Sequence, residues 1–234
     1  MAFLIFILTQ AVVVPFFVSL FLALQFGSAY ESMIPAYRGW IDLLGIIGSF
    51  LALGVVFFRL SPVERLYIWG DAKSPISPLR VGMASLVIIY PFVQCIGQLV
   101  SIIVLLLFRQ AQIDQVAVER LKDVQTDPVL FITTFILIIT LVPCIEELLF
   151  RGFLQSWLRM KLKSPAKAIA IASLIFALFH YSPSQGITNI ELLISLYILS
   201  CFLGYLYEKT RSLWASIGLH ATFNAVSAIL ILFE

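Results

Sequence analysis

The stretch VLFITTFILIITLVPCIEELLFRGFLQSWL, residues 129–158, begins as an unbroken apolar run. It then sets two adjacent carboxylates, Glu146 and Glu147, and the cation Arg151 among leucines and phenylalanines. A helix needs about 20 apolar residues to cross the hydrocarbon of a bilayer, and the whole stretch, its three charged residues included, is longer than that. A charge at the bilayer centre costs at least about 2.5–3.5 kcal/mol, so ionisable groups inside such a span face a bundle interior or a wet cavity. The segment therefore predicts a transmembrane helix that carries something other than packing.

Runs of the same kind recur along the whole chain. They lie at roughly 3–26, 41–58, 79–107, 129–158, 165–181, 189–207 and 212–232, so the expected fold is all-α, a polytopic transmembrane helix bundle of about seven spans. Of the 234 residues, 61% are hydrophobic and 12% charged, against about 25% charged in a soluble domain. The third and fourth spans exceed the necessary length and are expected to tilt, or to bend at Pro91 or Pro143. A net charge of +2 with no basic stripe argues against nucleic acid as a partner. The lipid bilayer is the expected surrounding. The three cysteines, Cys95, Cys144 and Cys201, sit in apolar runs without CxxC spacing and read as small core residues. The first apolar run lacks a basic leader and exceeds the core of a signal peptide, so it reads as a retained span.

Lys and Arg alone set the expected orientation. If loops alternate sides, the segments 59–80, 151–167 and 208–211 hold eleven of the fifteen basic residues, and those at 27–40, 109–127 and 182–190 hold four. This predicts a cytoplasmic N-terminus in a plasma (cytoplasmic) membrane. The connector RQAQIDQVAVERLKDVQTDP mixes Ile113, Val116, Val118, Leu121 and Val124 with seven charged residues; it reads equally as an amphipathic interfacial helix or a solvated link. It divides the chain into N-terminal helices and connector, 1–127, and a helical core, 128–234.

Depth can be counted from the turns. MKLKSPAK carries three lysines and a proline and marks the turn between the fourth and fifth spans. Glu146 lies 17 residues before Lys163 and His180 lies 17 after it, so a helical hairpin closing there brings both to one level, about 25 Å from the turn. His220, nine residues past Arg211, enters a comparable depth from another helix. Glu147 and Arg151, four apart, can neutralise each other on one face, while Glu146 is turned about 100° away. His220 and Asn224 share a face by the same interval, as do Phe176 and His180. A carboxylate and an imidazole can hold and deprotonate a water. An imidazole N–H and an amide can donate to the oxyanion formed when that water attacks a carbonyl. The set suits amide hydrolysis.

The same residues form three patterns. EELLFR at 146–151 fits EExxxR, FALFH at 176–180 fits FxxxH, and HATFN at 220–224 fits HxxxN. In this order the chain resembles, over roughly 128–230, the CPBP family of CAAX-protease and bacteriocin-processing intramembrane endopeptidases, related to type II CAAX prenyl proteases. The resemblance implies a glutamate-dependent peptidase working in a conical, wet cavity formed by the last four spans. Glu146 would activate water with His180, and His220 with Asn224 would form the oxyanion hole. Glu147 and Arg151 would organise the site. It further implies a peptide or membrane-protein substrate, prenylated or not. The first three spans show no match to the family.

Other readings stand beside this one. Glu147 and Arg151 suit a purely structural ion pair equally well. Two His and two Glu could ligate zinc, although no HExxH is present and adjacent glutamates cannot both point at one ion without strain; the expected catalysis needs no cofactor. Intramembrane carboxylates and histidines also build proton relays in transporters, but no repeated halves are visible. A non-catalytic immunity scaffold could use the same cavity. Glu191, Glu208 and Arg211 read as solvated loop residues, and Trp40, Trp69 and Trp214 as interfacial anchors.

Overall fold

A computed structural model describes residues 1–70, 75–109 and 116–231, and all regular structure among them is helical. Helix α1 (Ala2–Leu8) passes through a π-helical turn (Thr9–Val13) into α2 (Val14–Phe26). Pro15 follows the wide turn; it has no N–H to return to the preceding turn, and the Thr9 hydroxyl donates to the Ile5 carbonyl at 2.8 Å. Gly27, at φ 58°, ends α2, and α3 (Tyr30–Arg59) runs back antiparallel to it, with Gly45 against Gln10 and Gly48 against Thr9 and Val14. Ser61 then caps the short α4 (Pro62–Trp69) in a reciprocal box with Glu64.

The chain continues through α5 (Ile76–Phe108), α6 (Val116–Asp123) and α7 (Pro128–Ile139), whose first N–H groups donate to the Asp127 carboxylate. It breaks at Thr140 (φ −124°, ψ −72°) before α8 (Leu141–Glu147). The break follows from Pro143, which cannot donate to the carbonyl four residues back. Pro91, by contrast, lies within an unbroken α5. After α8 the helix widens to π geometry over Leu148–Gln155 and tightens again in α9 (Ser156–Leu162). Lys163, at φ 52°, makes the turn into α10 (Pro165–Leu178), as the lysine-rich segment predicted. A 3₁₀ turn (Pro183–Thr188), α11 (Asn189–Thr210) and α12 (Leu213–Ile231) complete the fold. Three helices end in a left-handed basic residue, Arg109, Lys163 and Arg211. Each cation stands where the carbonyl end of the helix favours one.

Among the described residues, five stretches are long and apolar enough to cross a membrane: Ala2–Arg59, Ile76–Phe108, Pro128–Leu162, Pro183–Thr210 and Leu213–Leu230. The first doubles back at Gly27. The span expected at 165–181 is a helix of only 14 residues, Pro165–Leu178, about 21 Å long and short of a full crossing by itself. It stops because the chain leaves the helix at His180 to build the 3₁₀ turn.

Close approach replaces bulk at the central contact. A Cβ on Gly82 of α5 would lie 2.0 Å from the Ala215 carbonyl oxygen of α12, and one on Gly218 of α12 would lie 2.5 Å from the Leu79 oxygen. Small residues let membrane helices pack backbone to backbone in this way. Since backbone cannot yield as a side chain does, Gly82→Val is expected to destabilise by more than the usual overpacking cost of about 1–3 kcal/mol, measured as a lowered unfolding midpoint in detergent. The main apolar cluster joins Ala2, Leu53 and Ile68 to Ile145, Phe176 and Ile217, so packing is continuous across residue 127. Of the connector, Ile113 lies outside the described residues. Leu121 and Val124 are buried, Val124 clustering with Leu43, Leu130 and Leu137.

Candidate active site

Glu147 is fully buried, and its Oε1 accepts from Arg151 Nη1 at 2.8 Å and from His220 Nδ1 at 2.8 Å. Arg151 is 1% exposed. Its Nη2 donates to the Ser200 hydroxyl at 2.7 Å and the Ser200 carbonyl at 3.1 Å, and its guanidinium lies 4.8 Å from the centre of the Phe176 ring. Burying a charge is costly unless it is paired and hydrogen-bonded; both hold for the guanidinium and for Glu147 Oε1, while Glu147 Oε2 is buried without a hydrogen-bond partner.

The pair belongs to a longer ladder. Polar residues recur at every fourth position along α8, the π segment and α9: Glu147, Arg151, Gln155 and Arg159. The last three face α11 in step. Arg151 reaches Ser200, Gln155 Nε2 donates to the Gly204 carbonyl at 3.1 Å, and Arg159 pairs with Glu208 at 3.0 Å. The two stretches therefore run parallel. Gly204 lets the helices come close at its rung, since a Cβ there would meet Gln155 Oε1 at 2.6 Å and the Gln155 side chain would have to shift. Glu208, expected as a solvated loop residue, is instead a helical residue with a 9% exposed side chain, paired to Arg159 and, at 3.9 Å, to Arg211. The sequence reading names neither Ser200 nor Gln155, although the four-residue polar spacing inside an apolar span is a signal for Gln155.

Glu146 points elsewhere, as its 100° offset requires. Its Oε1 lies 3.9 Å from His180 Nε2 and its Oε2 lies 3.6 Å from His220 Nε2. Each imidazole is oriented through its other nitrogen. His180 Nδ1 faces the Phe176 carbonyl at 2.8 Å, and His220 Nδ1 faces Glu147. Both partners can only accept, so each Nδ1 carries a proton and each Nε2 is turned toward Glu146. Phe176 fixes the His180 ring from 4.7 Å and meets His220 edge-on at 6.0 Å. The Glu146 carboxylate and the two Nε2 atoms thus converge on one point.

Asn224 sits one turn from His220, and its amide donates to the Ile138 carbonyl at 3.2 Å. That carbonyl is freed by the helix break at Thr140, so one amide hydrogen is used in repairing it and the other remains. A cavity of about 620 Å³ opens beside these groups, lined by Glu146, His180, His220 and Asn224 with apolar walls that include Leu196 and Phe223. Glu147 is not on its surface. Among the described residues no group of three or more His, Cys, Asp or Glu side chains forms a candidate metal centre. Trp69 and Trp214, expected as interfacial anchors, pack on each other edge-on at 5.3 Å.

Residues 128–226 match the family model described as type II CAAX prenyl endopeptidase Rce1-like. This bears out the resemblance seen in the three motifs over the same part of the chain. No curated protein and no solved structure matches the chain.

Proposed function

With residues 128–226 matching the type II CAAX prenyl endopeptidase family, we propose that this protein is a membrane endopeptidase in which Glu146 activates water. The observation that carries the proposal is the convergence of the Glu146 carboxylate with the two imidazole Nε2 atoms at 3.6 and 3.9 Å. These gaps exceed a hydrogen bond, and polar contacts of such length are commonly bridged by water. A water donating to the Glu146 carboxylate keeps its own oxygen free to attack.

The water oxygen bonds to the scissile carbonyl carbon while its proton passes to Glu146. The remaining amide hydrogen of Asn224 donates to the oxyanion, joined by the Nε2–H of a His220 that holds this proton before the step begins and keeps it throughout. The C–N bond breaks as Glu146, with His180 beside it, returns a proton to the leaving nitrogen. The Arg151–Glu147 pair holds the His220 ring through Nδ1 and takes no part in the proton transfers. Removing one oxyanion donor costs about 100- to 1,000-fold in kcat. The apolar walls of the cavity favour a lipid-modified or membrane-embedded peptide, so the substrate class proposed is a peptide carrying a prenylated or otherwise apolar C-terminal segment.

The test is cleavage of prenylated and unprenylated CaaX peptides by the purified protein, with and without a strong chelator. Cleavage undiminished by chelation is expected. Loss on chelation would favour zinc chemistry on the same two imidazoles and carboxylate, and transport without cleavage in proteoliposomes would favour a carrier.

A further inference from the structure

A second cavity, of about 630 Å³, lies between α3, α4 and α8. Cys144, Ile145 and Leu148 form its floor, and Phe57 and Trp69 are among its walls. Glu146, His180 and His220 do not line it, so it is separate from the candidate active site and lies on another face of the same helix. Gly54 leaves its wall open, since a Cβ there would meet nothing within 4 Å.

The lining is apolar except at one place. Arg65, on α4, borders the cavity, and its Nε is shielded from solvent without a hydrogen-bond partner. A buried donor left unpaired costs about 1–3 kcal/mol, more when charged. The neighbouring acid does not relieve it. Glu64 Oε2 accepts from the Ser61 N–H at 2.9 Å and the Ser61 hydroxyl at 2.8 Å, and these bonds hold its carboxyl below the usual carboxylate range. Arg59, exposed at the end of α3, adds a second cation where the apolar run stops. An occupant must therefore offer an anionic oxygen to Arg65 and a long apolar tail to the groove in one molecule.

We propose that this groove is a binding site for a single anionic phospholipid, its acyl chain against Cys144, Ile145 and Leu148 and its headgroup on Arg65. The site is independent of the peptidase reading, because it is defined by binding alone. It would seat a lipid on the helix that carries Glu146 and Glu147.

Two variants separate headgroup from tail. Arg65→Gln removes the charge, and Gly54→Phe fills the groove from an open position on an ordinary helical backbone. The full chain in neutral detergent would be titrated with phosphatidylglycerol or phosphatidylcholine and followed by native mass spectrometry, with unfolding midpoints recorded for each variant. Saturable binding of one phosphatidylglycerol is expected, at least about tenfold tighter than phosphatidylcholine, given the strength of charge-assisted hydrogen bonds. Arg65→Gln should erase that preference, and Gly54→Phe should weaken both lipids by a similar factor at an unchanged lipid-free midpoint. Equal binding of the two lipids to the wild type, or phosphatidylglycerol binding unaltered in both variants, would overturn the assignment.

Discussion

Glu146→Gln is expected to lower kcat by about 100- to 10,000-fold, the usual contribution of a positioned general base, while leaving the unfolding midpoint where it was. The two halves of that expectation come from the same geometry. The Glu146 side chain is 21% exposed and its oxygens stand 3.6 and 3.9 Å from the imidazoles, so the amide strands no buried partner. It cannot take a proton from water. Peptide cleavage and thermal unfolding on one preparation check both.

Glu147 and Arg151 should behave in the opposite way. Glu147→Ala leaves a guanidinium at 1% exposure without its carboxylate and His220 without its Nδ1 acceptor. Breaking a buried pair by removing one partner costs about 3–5 kcal/mol, and the same loss is expected for Arg151→Met. The joint variant Glu147→Leu with Arg151→Met removes both charges and should recover part of that loss, read as a denaturation midpoint above either single variant. Activity should stay low in all three, because the His220 ring has lost its tether. Arg151→Lys is not a conservative change, since an ammonium cannot reproduce the planar fork that meets Glu147 and Ser200 together.

Much of the site was legible because its residues announce themselves by type and depth. Carboxylates and imidazoles are expensive in lipid, so Glu146, Glu147, His180 and His220 stood out. Equal counts from Lys163 placed Glu146 and His180 at one level, and the structure brings them together across 3.9 Å. Spacing of four found Glu147 with Arg151 directly. What depended on contacts between distant helices was not legible. Ser200 meets Arg151 across 49 positions, and nothing local says that an ordinary serine in α11 supports a buried cation. Asn224 was assigned only to an oxyanion, because the freed Ile138 carbonyl that it repairs exists only once Pro143 has broken the helix at Thr140. Composition likewise gave apolar runs but not their lengths as helices. The run at 165–181 looked sufficient for a span, and the chain uses its end to turn His180 toward Glu146.

The central claim is that Glu146 and His180 act on one water as a unit. A double-mutant cycle in the rate of peptide cleavage tests it most directly, using Glu146→Gln, His180→Gln and the two together. Groups that share a single step give grossly non-additive losses. The account predicts that the double variant is no slower than the slower single variant. Losses that multiply, each substitution costing the same factor whether or not the other is present, would contradict it.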